Sequence, residues 1–539
     1  MQESIFFKLS SGLYKHLSKD KVYLLLSIIF AILYLPHVFI IVEDLGLILG
    51  FEVDPGSHVV AIEKLFNPPY YNMQGGYHSK FYGWTYFAIN FVLLAPIKLF
   101  FWLTGTENNL ILYISIRFIL FMIGLISVLV FYEIAKKLFN SIVLAGCASI
   151  LYIISPVGAQ LFYFIHPETT GLMFIFLGIL ALLKFIDNPQ DYKLYFAGLI
   201  CLVLATLSKQ VFFFMSLPIL FSFLHFYCKE QQQKYMQFVF SMDFIKILGR
   251  TTLLALAILF IIHPFAILDL TNFIEYQINL STSWITSKYA MSFTDSLISW
   301  YKLLMSVSVI QLSIILLPIT FVITLLMYIN KKRASLFLYI TNTIGLFFVL
   351  CITIIGNRTM ISGHYLQPLY PFFVLSLFAI MNYVSNITDI RLKHLRLFAN
   401  TSFIYSVLLT ILSNLYTLTP TLITRLLYKD GIAYKTYEYV SKHLVPTDKL
   451  VYDQYVALPD KMKSQGCHYW QGCGTDYIDK YQPNYVMFNE MLTAFGNAGS
   501  GQQPTETLRL KKYIKDYNLQ LIDSIEVKDT KVLIYKKTQ

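Results

Sequence analysis

The sequence returns repeatedly to uncharged apolar stretches of about 20 residues, each long enough to cross ~30 Å of bilayer hydrocarbon as a helix. That repetition constrains the chain more than any other feature. Backbone immersed in hydrocarbon must satisfy its own hydrogen bonds, so such runs are helices packed on helices. Charged residues make up 14% of the chain and mean hydropathy is +0.58, whereas soluble domains carry about 25% charge. The expected class is therefore an α-helical polytopic membrane protein. The excess of 42 Lys and Arg over 31 Asp and Glu gives a net charge of +11. In such a protein it reads as basic cytoplasmic loops rather than a nucleic-acid footprint. Residues 1–21 are too polar for a cleavable signal peptide, so the first apolar run is expected to stay as an anchor.

The apolar runs lie at 22–42, 110–132, 141–157, 165–185, 194–208, 211–227, 249–263, 307–329, 335–355, 365–383 and 398–418, which predicts about eleven transmembrane helices. With the N-terminus inside, the six cytoplasmic segments hold 17 Lys and Arg and the longer opposite loops hold seven. That bias sets the expected orientation. Residues 81–103 are apolar enough for a twelfth span, but counting them would place the Lys136-Lys137 loop outside. The expectation is that this segment lies along the outer face, with Trp84, Tyr86 and Trp102 at headgroup level. The catalytic outer loop would then cover 43–109.

An odd number of spans puts residues 419–539 outside the cytoplasm, where Lys, Asp, Tyr and Asn reappear. Helices near 432–444 and 505–516 and strands near 449–453, 484–488, 519–526 and 531–536 predict a small α/β domain. Cys467 and Cys473 lie there, beside His468. An extracytoplasmic setting favours a disulfide; free thiols and a zinc site remain the alternatives.

The polar investment concentrates in the outer loops. Glu52-Val53-Asp54 is an acidic pair that can hold a divalent ion or act as a base. Asp54 before Pro55 is equally a helix start. Glu168 follows His166-Pro167 at the end of the fourth run, and a lone carboxylate there needs a cation, a metal or a helix N-terminus. Lys209 stands between two short runs, where a point cation suits a phosphate and also suits a snorkelling anchor. Arg358 and His364 precede a run broken by Pro368 and Pro371, and can add donors to the same phosphate or anchor the interface.

Taken in order, Glu52-x-Asp54, Lys80-Phe81-Tyr82, an Arg117-bearing span ending in YEIAKKLF, IHPETTGLMFIFLGILALLKF, LATLSKQ, HPFAILDLTNFIEYQ and GHYLQPLYPFF resemble the GT-C superfamily of integral-membrane glycosyltransferases. The likeness is to protein O-mannosyltransferase-like and lipid A aminoarabinose transferase-like members, over roughly residues 20–385. It implies transfer of a sugar from a polyprenyl-phosphate carrier to a protein, lipid or glycan acceptor on the outer face of the membrane, with no nucleic-acid partner. It further implies Asp54 as catalytic base, Glu52 beside it, Glu168 as a second essential acid, and Lys80, Lys209, Arg358 and His364 around the donor phosphate. Two departures stand out. Glu168 occupies a place where such families often have Asp, and His78-Ser79-Lys80 replaces an acidic-Lys pair. A divalent metal therefore stays open, with Glu52 and His78 as its candidate ligands. The alternative function is a lipid-linked sugar or polysaccharide transporter or flippase, which a broken helix with polar groups inside the membrane would favour; the sequence shows no sign of one. A third is an assembly protein whose tail binds a partner.

Overall fold

The structure, a computed structural model of the chain, describes residues 19–40, 53–67, 84–106, 108–188, 190–209, 211–230, 242–268, 292–307, 366–385, 393–452, 456–459, 482–489, 514–528 and 530–537, with short stretches and single positions between them. The chain divides into two compact units. One comprises Met1–Leu35, Ala61–Pro96 and Arg117–Thr419, and the other Pro36–Val60, Ile97–Ile116 and Pro420–Gln539.

Helices dominate: α1 (Lys19–Tyr34), α2 (Val53–Lys64), α3 (Trp84–Thr104), α4 (Asn109–Phe139), α5 (Ile142–Ile153), α6 (Pro156–Tyr163), α7 (Pro167–Asp187), α8 (Tyr192–Ser208), α9 (Val211–Glu230), α10 (Met242–Ile262), α11 (Phe293–Ser306), α12 (Tyr370–Ser385), α13 (Lys393–Leu426) and α14 (Ile432–His443). Among the described residues five helices are long and apolar enough to cross a membrane, or six if a bent pair counts as one span. Shorter apolar helices fall on four further runs, and the runs 307–329 and 335–355 lie outside the described residues. α3 is 21 residues long and passes the same length test, so the segment read above as lying flat is also long enough to span.

The run 141–157 departs from a single straight helix. It breaks after Ile153, and α5 and α6 meet at 71°. The cause is local: the residue before a proline is driven out of the helical region, and Ser155 is extended ahead of Pro156. Its hydroxyl then caps the new helix, accepting the Gly158 N–H at 3.1 Å. On the other side of the break, the Tyr34 hydroxyl donates to the Ile153 carbonyl at 2.6 Å. Groups freed by the break are thus satisfied from within the protein, as a bend at membrane depth requires.

Around this bend an aromatic core packs Phe30, Tyr34, Phe121, Phe131, Tyr152, Phe162 and Phe176. α7 and α8 form a hairpin, and glycines set their spacing. A Cβ on Gly178 would stand 3.0 Å from Leu202, one on Gly198 2.8 Å from Leu182, and one on Gly171 only 2.1 Å from the Phe212 ring at the start of α9. Small residues of this kind let membrane helices approach closely.

In the second unit a five-stranded mixed sheet has the order β2-β1-β3-β5-β4, with β1 Leu450–Tyr452, β2 Gly466–His468, β3 Tyr485–Asn489, β4 Leu519–Val527 and β5 Thr530–Lys537. β2, β1 and β3 run parallel, and β5 is antiparallel to both β3 and β4. α14 buries Ala433, Thr436 and Val440, and Val440 packs with Leu450, Tyr485, Met487, Val532 and Ile534 on one face of the sheet. Val451, Val486, Phe488 and Leu519 form the other face. Burial pushes the Tyr452 phenol up to about 12, so this core carries no phenolate at physiological pH. The four expected strands and the first expected helix are present; β2 was not anticipated, and most of 505–516 lies outside the described residues.

Candidate active site

The site grows out of two helix ends. Pro167 opens α7, and His166 before it is extended, so Glu168 falls in the first turn, where the helix dipole favours an anion. Lys209 closes α8 and donates its backbone N–H to the Ala205 carbonyl at 3.3 Å, at the end of the helix where a cation is favoured. Because α7 and α8 are the arms of one hairpin, these two ends coincide. Lys209 Nζ donates to Glu168 Oε1, and His166 Nδ1 contacts Glu168 Oε2. The carboxylate is the inaccessible centre, its side chain 3% exposed, while those of Lys209 and His166 are 16% and 19% exposed.

Neighbouring helices finish at the same end. Thr85, in the first turn of α3, donates to the Leu204 carbonyl of α8 at 2.8 Å, and Ser208 donates to that same oxygen at 2.9 Å. Trp84 meets the buried His263, which follows α10, edge to face at 4.4 Å. Thr169, next to Glu168, donates to the Leu161 carbonyl of α6, and Gln367 donates to Gln160 of that short helix. The far end of α7, roughly 30 Å away for 21 residues, carries a different pair, Asp187 with Lys137 of α4. That pair is about one-third exposed, as expected of a solvated helix end. The buried triad and the basic end therefore sit one bilayer thickness apart.

Residues 91–267, which hold the triad, match the profile of the dolichyl-phosphate-mannose-protein mannosyltransferase family. The fold is similar to that of ArnT from Cupriavidus metallidurans in the apo state, with a TM-score of 0.50 and 11% identity over 97% of this chain and 99% of that one. One stretch of the chain thus matches a GT-C family model, and the fold is similar to that of a GT-C protein. Its several apolar helices, together with this likeness, support a multi-pass membrane protein. A second structure of the same ArnT, bound to undecaprenyl phosphate, aligns with a TM-score of 0.43 and 12% identity over 83% of this chain and 86% of that one. A search of the curated proteins finds no match.

Of the residues picked out from the sequence, the structure brings Glu168 and Lys209 into direct contact. Asp54 lies in the first turn of α2, and its side chain is outside the described residues. Glu52, His78, Lys80, Arg358 and His364 are also outside them, as is Cys473; Cys467 is placed by its backbone on β2. Among the described residues no group of three or more His, Cys, Asp or Glu is placed to hold a metal ion. Sequence reasoning passed over Thr85 and Gln160, and treated His166 only as a neighbour of Glu168. The signal for His166 was its place before Pro167, which fixes it at the mouth of the helix.

Proposed function

We propose that this chain is a GT-C glycosyltransferase that transfers a sugar from a polyprenyl-phosphate carrier to a hydroxyl acceptor at the outer membrane face, with inversion. The observation that carries this reading is the Glu168–Lys209 pair, buried at one end of the α7–α8 hairpin inside the segment that matches a phosphate-linked mannosyltransferase family. A cation held at the depth of the lipid headgroup suits the phosphate of such a donor.

In this reading Asp54 takes the acceptor's proton as the hydroxyl oxygen attacks the anomeric carbon. The bond from that carbon to the phosphate oxygen breaks on the opposite face, and its electron pair leaves with the carrier phosphate. Lys209, with Lys80, Arg358 and His364, neutralises the departing charge, and Glu52 supports Asp54. The acceptor is a protein, lipid or glycan hydroxyl. We further place the N-terminus in the cytoplasm and residues 419–539 outside it, on the charge bias of the loops.

One observation favours the transporter reading: the bent α5–α6 pair is the broken helix that the sequence did not reveal. Two features weigh against it. The break is sealed by Ser155 and Tyr34, and α6 leads straight into His166 and Glu168. The deciding experiment gives purified protein in proteoliposomes a radiolabelled polyprenyl-phosphate sugar, and scores hydrolysis or transfer separately from movement of intact donor between leaflets. Transfer or hydrolysis supports the proposal, and donor movement with the sugar bond intact would replace it by the transporter.

A further inference from the structure

In the triad the most deeply buried side chain is that of Glu168, whose Oε1 accepts from Lys209 while Oε2 lies against Nδ1 of His166 without a hydrogen bond. A carboxylate so placed is poorly suited to receive a proton from an incoming hydroxyl, since it would first have to leave a cation. Its two partners reach the more open side, and they come from different chain segments, the N-cap of α7 and the C-cap of α8. With its proton on Nδ1 the His166 imidazole can donate to that oxygen. His166 does not use its ring to cap α7, and its Nδ1 faces Glu168.

The charges explain why three groups are needed. Lys209 is largely buried, and a buried ammonium without a counter-ion loses several kcal/mol of solvation. An empty phosphate site therefore needs a resident anion. When a phosphate arrives at Lys209, the resident anion is displaced and would itself become an unpaired buried charge, at the same kind of cost. A second holder removes that penalty.

We propose that Glu168 is an internal stand-in for the donor phosphate, resting on Lys209 while the site is empty and passing to His166 when phosphate takes the lysine. This rests on the phosphate-binding role assigned to Lys209 above and deepens it. His166 then acts as a positioning residue that works through Glu168, and Glu168 is the competitor that lets the product carrier phosphate leave. No bond is made or broken in the exchange; one ion pair replaces another.

The test is equilibrium binding of farnesyl monophosphate to the full-length protein in nanodiscs, with farnesol as the uncharged control. Glu168→Gln, nearly isosteric, removes the competitor and should tighten farnesyl phosphate binding about tenfold while leaving farnesol unchanged. His166→Leu removes the second holder and should weaken it about tenfold, with His166→Gln, which keeps an N–H donor, restoring most of the loss. In the double variant Glu168→Gln/His166→Leu the His166 effect should vanish, because the imidazole acts only through the carboxylate. A purely structural histidine would cost the same in both backgrounds, and that result would overturn the proposal. So would weaker or unchanged farnesyl phosphate binding by Glu168→Gln. If the unmodified protein itself fails to prefer farnesyl phosphate over farnesol, the phosphate site falls and this inference with it.

Discussion

Replacing Gly171 with alanine should disturb the site without touching any of its polar groups. Gly171 lies one turn beyond Glu168 on α7, and Phe212 lies three residues beyond Lys209 at the start of α9. Their contact therefore sets how closely the two charges approach. An alanine Cβ would stand 2.1 Å from Phe212 Cε2 and 2.4 Å from Cδ2. Non-bonded carbons rest no closer than about 3.5 Å, so helix and ring must part by about 1.4 Å. The ring is fully buried. Overpacking of this kind costs about 1–3 kcal/mol, and a displacement near 1 Å at a reacting site costs on the order of 10²-fold in rate. Gly171→Ala should thus lower the thermal unfolding midpoint of the purified protein and reduce donor-dependent sugar transfer by 10- to 100-fold, by these same estimates. Adding Phe212→Leu, which removes the colliding ring, should recover part of both. If Gly171→Ala unfolds and turns over like the parent, or Phe212→Leu gives no relief, the account of how α7 and α9 bring Glu168 to Lys209 is wrong.

Three further outcomes are expected. Asp54→Asn should cut transfer by about 10²- to 10⁴-fold with donor binding near normal, whereas Lys209→Ala should chiefly raise the donor KM; steady-state kinetics on both separates base from phosphate ligand. A reporter active only outside the cytoplasm, fused after Gln539, should be on, and a cytoplasmic signal would mean that the span count is off by one, through α3 or another helix. Cys467 and Cys473 should resist alkylation until reduced, and ready labelling of both thiols in the native protein would rule out a disulfide between them.

Sequence patterns revealed what is periodic or compositional. The apolar runs located the membrane helices because hydrocarbon forces every spanning segment to announce itself in about 20 residues. Short runs rich in Val, Ile, Leu and Tyr located β1, β3, β4 and β5 in the tail, since such residues suit a pleated sheet packed on its neighbours. β2 escaped because a three-residue strand, Gly466–His468, is too short to display a period. The bend between α5 and α6 escaped for a different reason: hydropathy is continuous across Ile154, and only Ser155-Pro156, a local stop and restart, marks it. Glu168 and Lys209 were legible as isolated charges in apolar surroundings, which always demand an explanation. Their contact was not, because 41 residues separate them and only the hairpin geometry with Gly171 against Phe212 brings them together. Thr85, Gln160 and Gln367 were invisible in the same sense, being ordinary polar residues whose partners are distant in sequence.

The most direct test of the central claim follows the carrier phosphate itself. Purified protein would be given a polyprenyl-phosphate sugar labelled with ³²P, with and without an acceptor extract from the cell envelope. The account predicts that labelled polyprenyl monophosphate is released, that release is stimulated by acceptor, and that Lys209→Met suppresses it. Intact donor after prolonged incubation with active, folded protein, or release that is indifferent to Lys209, would contradict it.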